Sequence, residues 1–428
     1  MDKRIFFVST ILLWTNFVHC QSTVEKYVQD NTFEIESISP KNNDYTDLEV
    51  IGKAIGEAQV VMLGEQDHGD APTFQAKARI IKYLHEKKGF NVIAFESDFY
   101  ALNKGWSQVL HEKLSADSLM LQNIFPVWTQ CQECEDVFSY IHSSQTSKSR
   151  LKITGFDIQL HGRYSQKNFK SELVSYLTSK QIAFLQTQEY RNYFLPHIDS
   201  LLHYSQKQSF IRDEQRIQQL LNNLDMIASQ LEVKEEEDHF WRKVLESVRA
   251  QTQIMVYRKQ NNFLKAGTFR DEHMAKNLYW LLNNVYKNEK LIVWAANSHI
   301  NKYSLSEKNA SMARTWPVPM GSFLIKNKGV SDNTYVLGFT SYQGTAGRVT
   351  LPEKYPIAPP SKNGVEEWIS KLGYDFAFTD MKPSKKLERV WNESFNAKLM
   401  GHINIKAQWA KGFDGIFFID KMYPCKKE

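Results

Sequence analysis

Six short apolar runs, at residues 60–63, 91–95, 151–156, 291–295, 335–339 and 416–419, constrain this chain more than any other feature. Short, mostly apolar runs of this kind look like buried strands, the pattern of strands covered on both faces. Stretches of helical character such as residues 71–88 separate the first three runs. Alternation of that kind predicts parallel strands joined by crossover helices. The expected fold class is therefore α/β, a central mostly parallel sheet flanked by helices.

Between the third and fourth runs the pattern changes. Ile217, Leu220, Leu221, Leu224, Ile227 and Leu231 recur at helical spacing, and Phe240, Val244, Val248 and Met255 carry a similar stripe. Such stripes are packing faces. The expected organisation is a discontinuous α/β core at 21–165 and 263–428, interrupted by a helical insertion at 166–262. No Gly/Ser linker, repeat or low-complexity tract separates them, so the insertion is expected to pack against the sheet, where it can also wall a site.

Residues 1–20 stand outside the fold argument. Lys3 and Arg4 precede a mostly apolar stretch, and Val18 and Cys20 suit the last positions of a cleavage site before Gln21. This is the pattern of a secretory signal peptide, so export to a periplasmic or secreted location is expected, with no stable membrane insertion after cleavage. Bulky His19 argues against lipid attachment at Cys20. The 53 Lys+Arg and 48 Asp+Glu are interspersed and form no basic stripe, which argues against a nucleic acid partner. Cys131 and Cys134 have redox-motif spacing, yet a lone pair cannot complete a tetrahedral zinc site. A local disulfide or two idle thiols is expected there, with the state of Cys425 open.

The chemistry-bearing residues follow the strands. Glu65 and His68, bracketed by Gly64 and Gly69, come after the first run; Glu96 after the second; Asp157 after the third; Asn297 and His299 after the fourth. Parallel strands present these loops on one edge, so residues far apart in the chain can converge in one pocket. Imidazoles beside carboxylates suit acid–base chemistry: His68 takes a proton from water if Glu65 or Glu96 orients it. Lys77, Arg270 or His299 supplies positive charge to a developing oxyanion. Duller roles compete, a helix cap or ion pair for Asp157 and a structural hydrogen bond for His299. No Gly-x-Ser-x-Gly, His-Glu-x-x-His, P-loop or Gly-x-Gly-x-x-Gly motif is present, which disfavours the corresponding hydrolases and nucleotide binders.

The motifs Gly64-Glu65-x-x-His68-Gly69, Phe95-Glu96, Gly155-Phe156-Asp157, Arg270-Asp271-x-x-Met274-Ala275-x-Asn277, Trp294-Ala295-x-Asn297-x-His299, Met320-Gly321 and the closing Phe413-Asp414-Gly415-Ile416-Phe417-Phe418-Ile419-Asp420 occur in this order. Together they resemble the erythromycin esterase family. The resemblance implies an α/β core with a helical portion, and hydrolysis of a small-molecule ester or lactone by water without metal, cofactor or covalent intermediate. In the best-known members the substrate is a macrolide lactone, with antibiotic resistance as the consequence. It further implies His68 as general base, Glu65, Glu96 and His299 as its supports or substrate ligands, and Lys77, Arg270, Asp157 and Asn297 as substrate contacts. Two departures matter. Lys77 stands where the macrolide-inactivating members carry arginine, and Ala296 stands where they carry a histidine. Other readings of the same residues are a metal-dependent hydrolase with Glu65, His68, Glu96 and His299 as ligands, and a non-enzymatic periplasmic binder of a hydrophobic ligand such as haem.

Overall fold

All six apolar runs fall on strands of one sheet, with Leu151 and Ala295 each one residue outside. The structure is a computed structural model that describes residues 23–203, 213–305, 316–382 and 392–427, so the expected leader at 1–20 lies outside the described residues. The strands are β1 (Thr32–Glu34), β2 (Val60–Leu63), β3 (Phe90–Asp98), β4 (Lys152–Asp157), β5 (Lys290–Trp294), β6 (Thr334–Ala346), β7 (Tyr355–Pro356), β8 (Phe376–Asp380), β9 (Phe395–Met400), β10 (Ile403–Ala407) and β11 (Gly415–Met422). The main sheet runs β1-β8-β11-β6-β2-β5-β3-β4, with β7 paired to β6. From β11 to β4 every neighbour is parallel, and β8 and β1 close one edge antiparallel.

Alternation along the strands divides two cores. Val60, Met62, Val92, Ala94, Leu291 and Val293 point to one face, and Val61, Leu63, Ile93, Phe95, Ile292 and Trp294 to the other. Burial of each such side chain is worth about 1.5–3 kcal/mol before conformational entropy is charged against it. The first core also holds Ile217, Leu220, Leu224, Trp241, Val244 and Val248 of the helices Glu214–Gln230 and Glu236–Lys259, which pack on each other and, through the second, on the helix Phe263–Trp280 that touches β4. The second holds Phe74, Ile80 and Leu84 of the helix Ala71–Lys88, together with Trp128 and Cys131. No helix among the described residues is long and apolar enough to cross a membrane.

This division opens the site. The helix after β2 packs on the second face, whereas Ile300, Met320 and Leu324, which follow β5, pack on the first. Connections leaving adjacent strands for opposite faces create a crevice at their carboxyl ends.

Cysteine pairing differs from the local expectation. Cys131 is bonded to Cys425, 294 residues away, and Cys134 is a buried free thiol. The physical reason is the path of residues 423–427, which run alongside the Cys131 segment: Gln132 N–H donates to Lys426 O at 3.0 Å.

Candidate active site at the carboxyl edge of the sheet

Register brings the predicted residues together. Leu63, Trp294, Phe95 and Gly155 lie in one row across β2, β5, β3 and β4, and the site begins one or two residues beyond that row. A register shift between Phe95 and Asp98 interrupts the β3–β4 ladder around Glu96. Irregularities of this kind re-aim a side chain at the end of a strand.

Two clusters result. In the first, Glu65 is fully buried and its oxygens are taken by three donors: His68 Nδ1 at 2.7 Å and Trp128 Nε1 at 3.0 Å on Oε1, and Lys77 Nζ at 2.7 Å on Oε2. Burial alone would raise the Glu65 pKa, but the Lys77 charge and the bond from His68 outweigh it and hold the carboxyl below its ordinary value. An ionised Glu65 accepts from His68 Nδ1, so that in the neutral ring Nε2 is the nitrogen with the lone pair. The His68 side chain is 19% exposed, so that lone pair belongs to a ring solvent can reach. Lys77 is buried, 3.9 Å above the Trp294 ring, and serves Glu65 instead of meeting substrate.

The second cluster contains Glu96, Asp157, Arg270, Asp271 and His299. Arg270 donates from Nε and Nη2 to both oxygens of Asp157, at 3.1 and 2.7 Å, and from Nη2 to Glu96 Oε1 at 2.9 Å. His299 places Nδ1 2.9 Å from each Asp271 oxygen and Nε2 3.2 Å from Glu96 Oε1. Burial would lower the His299 pKa, but Asp271 and Glu96 outweigh it and push the ring up to about 10. The same pairing, against the effect of burial, holds Glu96 well below the carboxylate range. His299 is thus an imidazolium at neutral pH, a cation and not a base. Its side chain is 16% exposed and that of Arg270 17%. The clusters adjoin electrically, since the charge of Glu96 acts on Lys77.

His299 also makes a testable contribution to stability. Its folded pKa lies above the ordinary 6.5, so its stabilisation is complete below about 6.5 and is lost as pH climbs to about 10. Urea midpoints of the wild type should therefore fall across that window relative to those of His299→Gln. Parallel midpoint curves for the two proteins would refute the assignment.

Asn297 is used differently from its expected role in substrate contact. Its amide donates to Phe339 O and Leu399 O, both at 2.8 Å, and its Oδ1 accepts from Phe339 N–H, tying the loop after β5 to β6 and β9. Gly64 and Gly69 are required for space and not for a left-handed turn. A Cβ on Gly64 would stand 1.9 Å from Asn297 Oδ1, and one on Gly69 2.1 Å from Gly347 O. Trp128 and Asp271 are the residues that sequence reasoning missed. Asp271 adjoins Arg270 in a quoted motif, which is a usable signal, whereas Trp128 carries none.

The donor set bears on metal binding. Glu65 has its oxygens engaged by three donors, His299 is a cation, and Arg270 and Lys77 sit among the carboxylates, so a divalent cation would meet like charge. Among the described residues, the three-residue group of ligand atoms within metal-binding distance is Cys131, Glu133 and Cys425, whose sulfurs are joined to each other.

The fold and site define an α/β protein with a hydrogen-bonded His–Glu pair and a charged cluster at the carboxyl edge of its sheet. Residues 85–422 match the Erythromycin esterase family, and the chain belongs to that family. It is 25% identical over 415 residues to the Bacillus subtilis (strain 168) protein named "Putative hydrolase YbfO", covering 91% of this chain and 89% of that one. It is 24% identical over 436 residues to Erythromycin esterase type II of Escherichia coli, covering 93% and 97%. An erythromycin esterase mutant solved in its open conformation shares the fold, with a TM-score of 0.69 at 17% identity over 92% of this chain and 98% of that one.

Proposed function

We propose that this chain is an exported hydrolase in which His68 activates water against a carboxylic ester or lactone without a metal ion. The observation that carries the proposal is the geometry of His68: a partly exposed ring whose Nδ1 lies 2.7 Å from buried Glu65, an arrangement that supports Nε2 as the proton acceptor of the neutral ring. His68 Nε2 takes a proton as the water oxygen attacks the carbonyl carbon. The cations His299 and Arg270 offset the negative charge on the carbonyl oxygen. As the tetrahedral intermediate collapses, the imidazolium returns the proton to the departing alkoxide. The leader-like residues 1–20 and the Cys131–Cys425 bond support an oxidising destination. Ala296 stands where the macrolide-inactivating members carry an imidazole, which favours an ester or lactone other than a macrolide.

The test is a panel of simple esters, small lactones and macrolides presented to the purified protein with and without excess chelator. Turnover of at least one ester or lactone, unchanged by chelator, is expected. Inertness to the whole panel would sink the hydrolytic reading, and loss of activity to chelator with recovery on one divalent ion would sink its metal-free form.

A further inference from the structure

Glu65 Oε1 is shared by two donors that arrive from separate parts of the chain. His68 reaches it from the loop after β2, and Trp128 from the short helix Pro126–Thr129. The rings of His68 and Trp128 meet edge to face, with centroids 5.3 Å apart and planes at 86°. Trp128 is buried, so it does not offer itself to substrate. What it can do is fix the carboxylate that fixes the base.

The positions of those two segments depend on a third. Residues 423–427 run between them and bond to both. On the His68 side, Cys425 N–H donates to Gly69 O at 2.8 Å, Ala71 N–H donates to Tyr423 O at 3.1 Å, and Asp70 bridges Pro424. On the Trp128 side, Gln132 N–H donates to Lys426 O at 3.0 Å, Lys426 N–H to Glu133 Oε2 at 3.1 Å, and Cys131 bridges Lys427. Cys131 N–H donates in turn to Trp128 O at 3.1 Å. The Cys131–Cys425 bond makes this strap covalent. Five residues therefore join the backbone directly after the base to the backbone directly after its indole partner.

We propose that Trp128 is a positioning residue for the Glu65–His68 pair and that segment 423–427, closed by the Cys131–Cys425 bond, sets that position, so that opening the bond slows hydrolysis. The proposal rests on the hydrolytic reading above and adds a redox dependence to the same site. Opening requires an external dithiol: its two thiols supply two electrons and two protons, the Sγ–Sγ bond becomes two thiols, and the dithiol becomes a disulfide. Cys134 does not open the bond from within. Its thiol is buried and pushed well up by that burial and by the charge of Glu65, so it stays protonated and poorly nucleophilic. Once the bond is open, the strap is held by a few hydrogen bonds at the edge of the fold, where local opening is inexpensive.

The test uses the full-length oxidised protein with whichever ester it turns over fastest. Trp128→Phe keeps an aromatic ring but loses the N–H and part of the indole volume, so its stability is measured alongside; its kcat should fall about tenfold with KM within about twofold, the cost of one hydrogen bond to a charged group. The acid limb of its kcat/KM profile should move to higher pH, because Oε1 without the indole N–H holds the neighbouring proton more tightly. Cys425→Ser and dithiothreitol-treated wild type should show the same two changes, and Cys134→Ser neither. An activity-independent measurement runs in parallel: the indole N–H resonance missing from Trp128→Phe should exchange with solvent faster once the wild type is reduced. The proposal is overturned if Trp128→Phe and Cys425→Ser lower only the melting temperature and keep wild-type kcat and pH profile below it, or if that resonance is equally protected before and after reduction. Activity surviving in His68→Ala would instead refute His68 as the base, and inertness of the wild type to every ester would refute the hydrolytic reading, while the exchange measurement would still decide the strap.

Discussion

His68→Ala should lower kcat/KM on any ester the protein hydrolyses by about 10³-fold, a loss of about 4 kcal/mol of transition-state stabilisation. The size follows from what remains. Glu65, Lys77 and Trp128 retain their mutual bonds, and His299 and Arg270 still supply positive charge, so substrate binding and oxyanion stabilisation persist while proton abstraction reverts to bulk water. The loss should therefore fall on kcat with KM little changed, and added imidazole should restore part of it by entering the vacated space. Glu65→Gln is a sharper probe of the same pair. A neutral amide can still accept the Nδ1 hydrogen but no longer stabilises the imidazolium, so activity should fall by about 10²-fold without rescue by imidazole. Steady-state kinetics at several imidazole concentrations separate the two variants. A His68→Ala enzyme within tenfold of the wild type would assign the base elsewhere.

Comparison of particular elements shows what the sequence makes legible. The six apolar runs become strands because double-faced burial leaves a signal needing no tertiary context: Val60 to Leu63 are all buried, and β2 has those bounds. Strand β10 leaves no such signal because it is exposed at three of its five positions, and β1 because it is only three residues long at the sheet edge. In the site, Glu65, Glu96, Asp157 and His299 were legible because each stands at the end of a strand, where topology forces convergence. Their division of labour was not. Whether His299 is a base or a cation depends on Asp271 and Glu96 lying within 3.2 Å of its two nitrogens, a fact of side-chain packing. Trp128 and the Cys131–Cys425 bond were hidden for the related reason that their partners lie 63 and 294 residues away, with no periodicity to announce them.

Arg270→Leu should cost about 3–5 kcal/mol of folding stability, because it removes one partner from a buried ionic network. Three of its donor contacts satisfy Asp157 Oδ1, Asp157 Oδ2 and Glu96 Oε1, and both carboxylates are buried. After the substitution, Asp157 keeps the Gln159 amide at 2.9 Å, and Glu96 keeps His299 and the Ala296 N–H. Neither set neutralises the second charge: three carboxylates, Glu96, Asp157 and Asp271, would share the single cation His299. Lysine keeps the charge but cannot reach two carboxylates through a planar fork, so Arg270→Lys should fall between wild type and Arg270→Leu. The dependence on pH gives the mechanism away. Glu96 has a depressed folded pKa, so the stabilisation it draws from its cations is present above the ordinary carboxylate value of 4.5 and is lost as pH falls through the folded one. The stability gap between wild type and Arg270→Leu should accordingly be widest near neutrality and narrow steadily in acid, as protonation relieves the unpaired carboxylates in the variant first. Urea unfolding at intervals from neutral pH down to the acid limit of the wild type measures this directly. A gap that stays constant with pH would mean that Arg270 contributes through packing alone, and its assignment as the charge holding Glu96 and Asp157 in the site would have to be withdrawn.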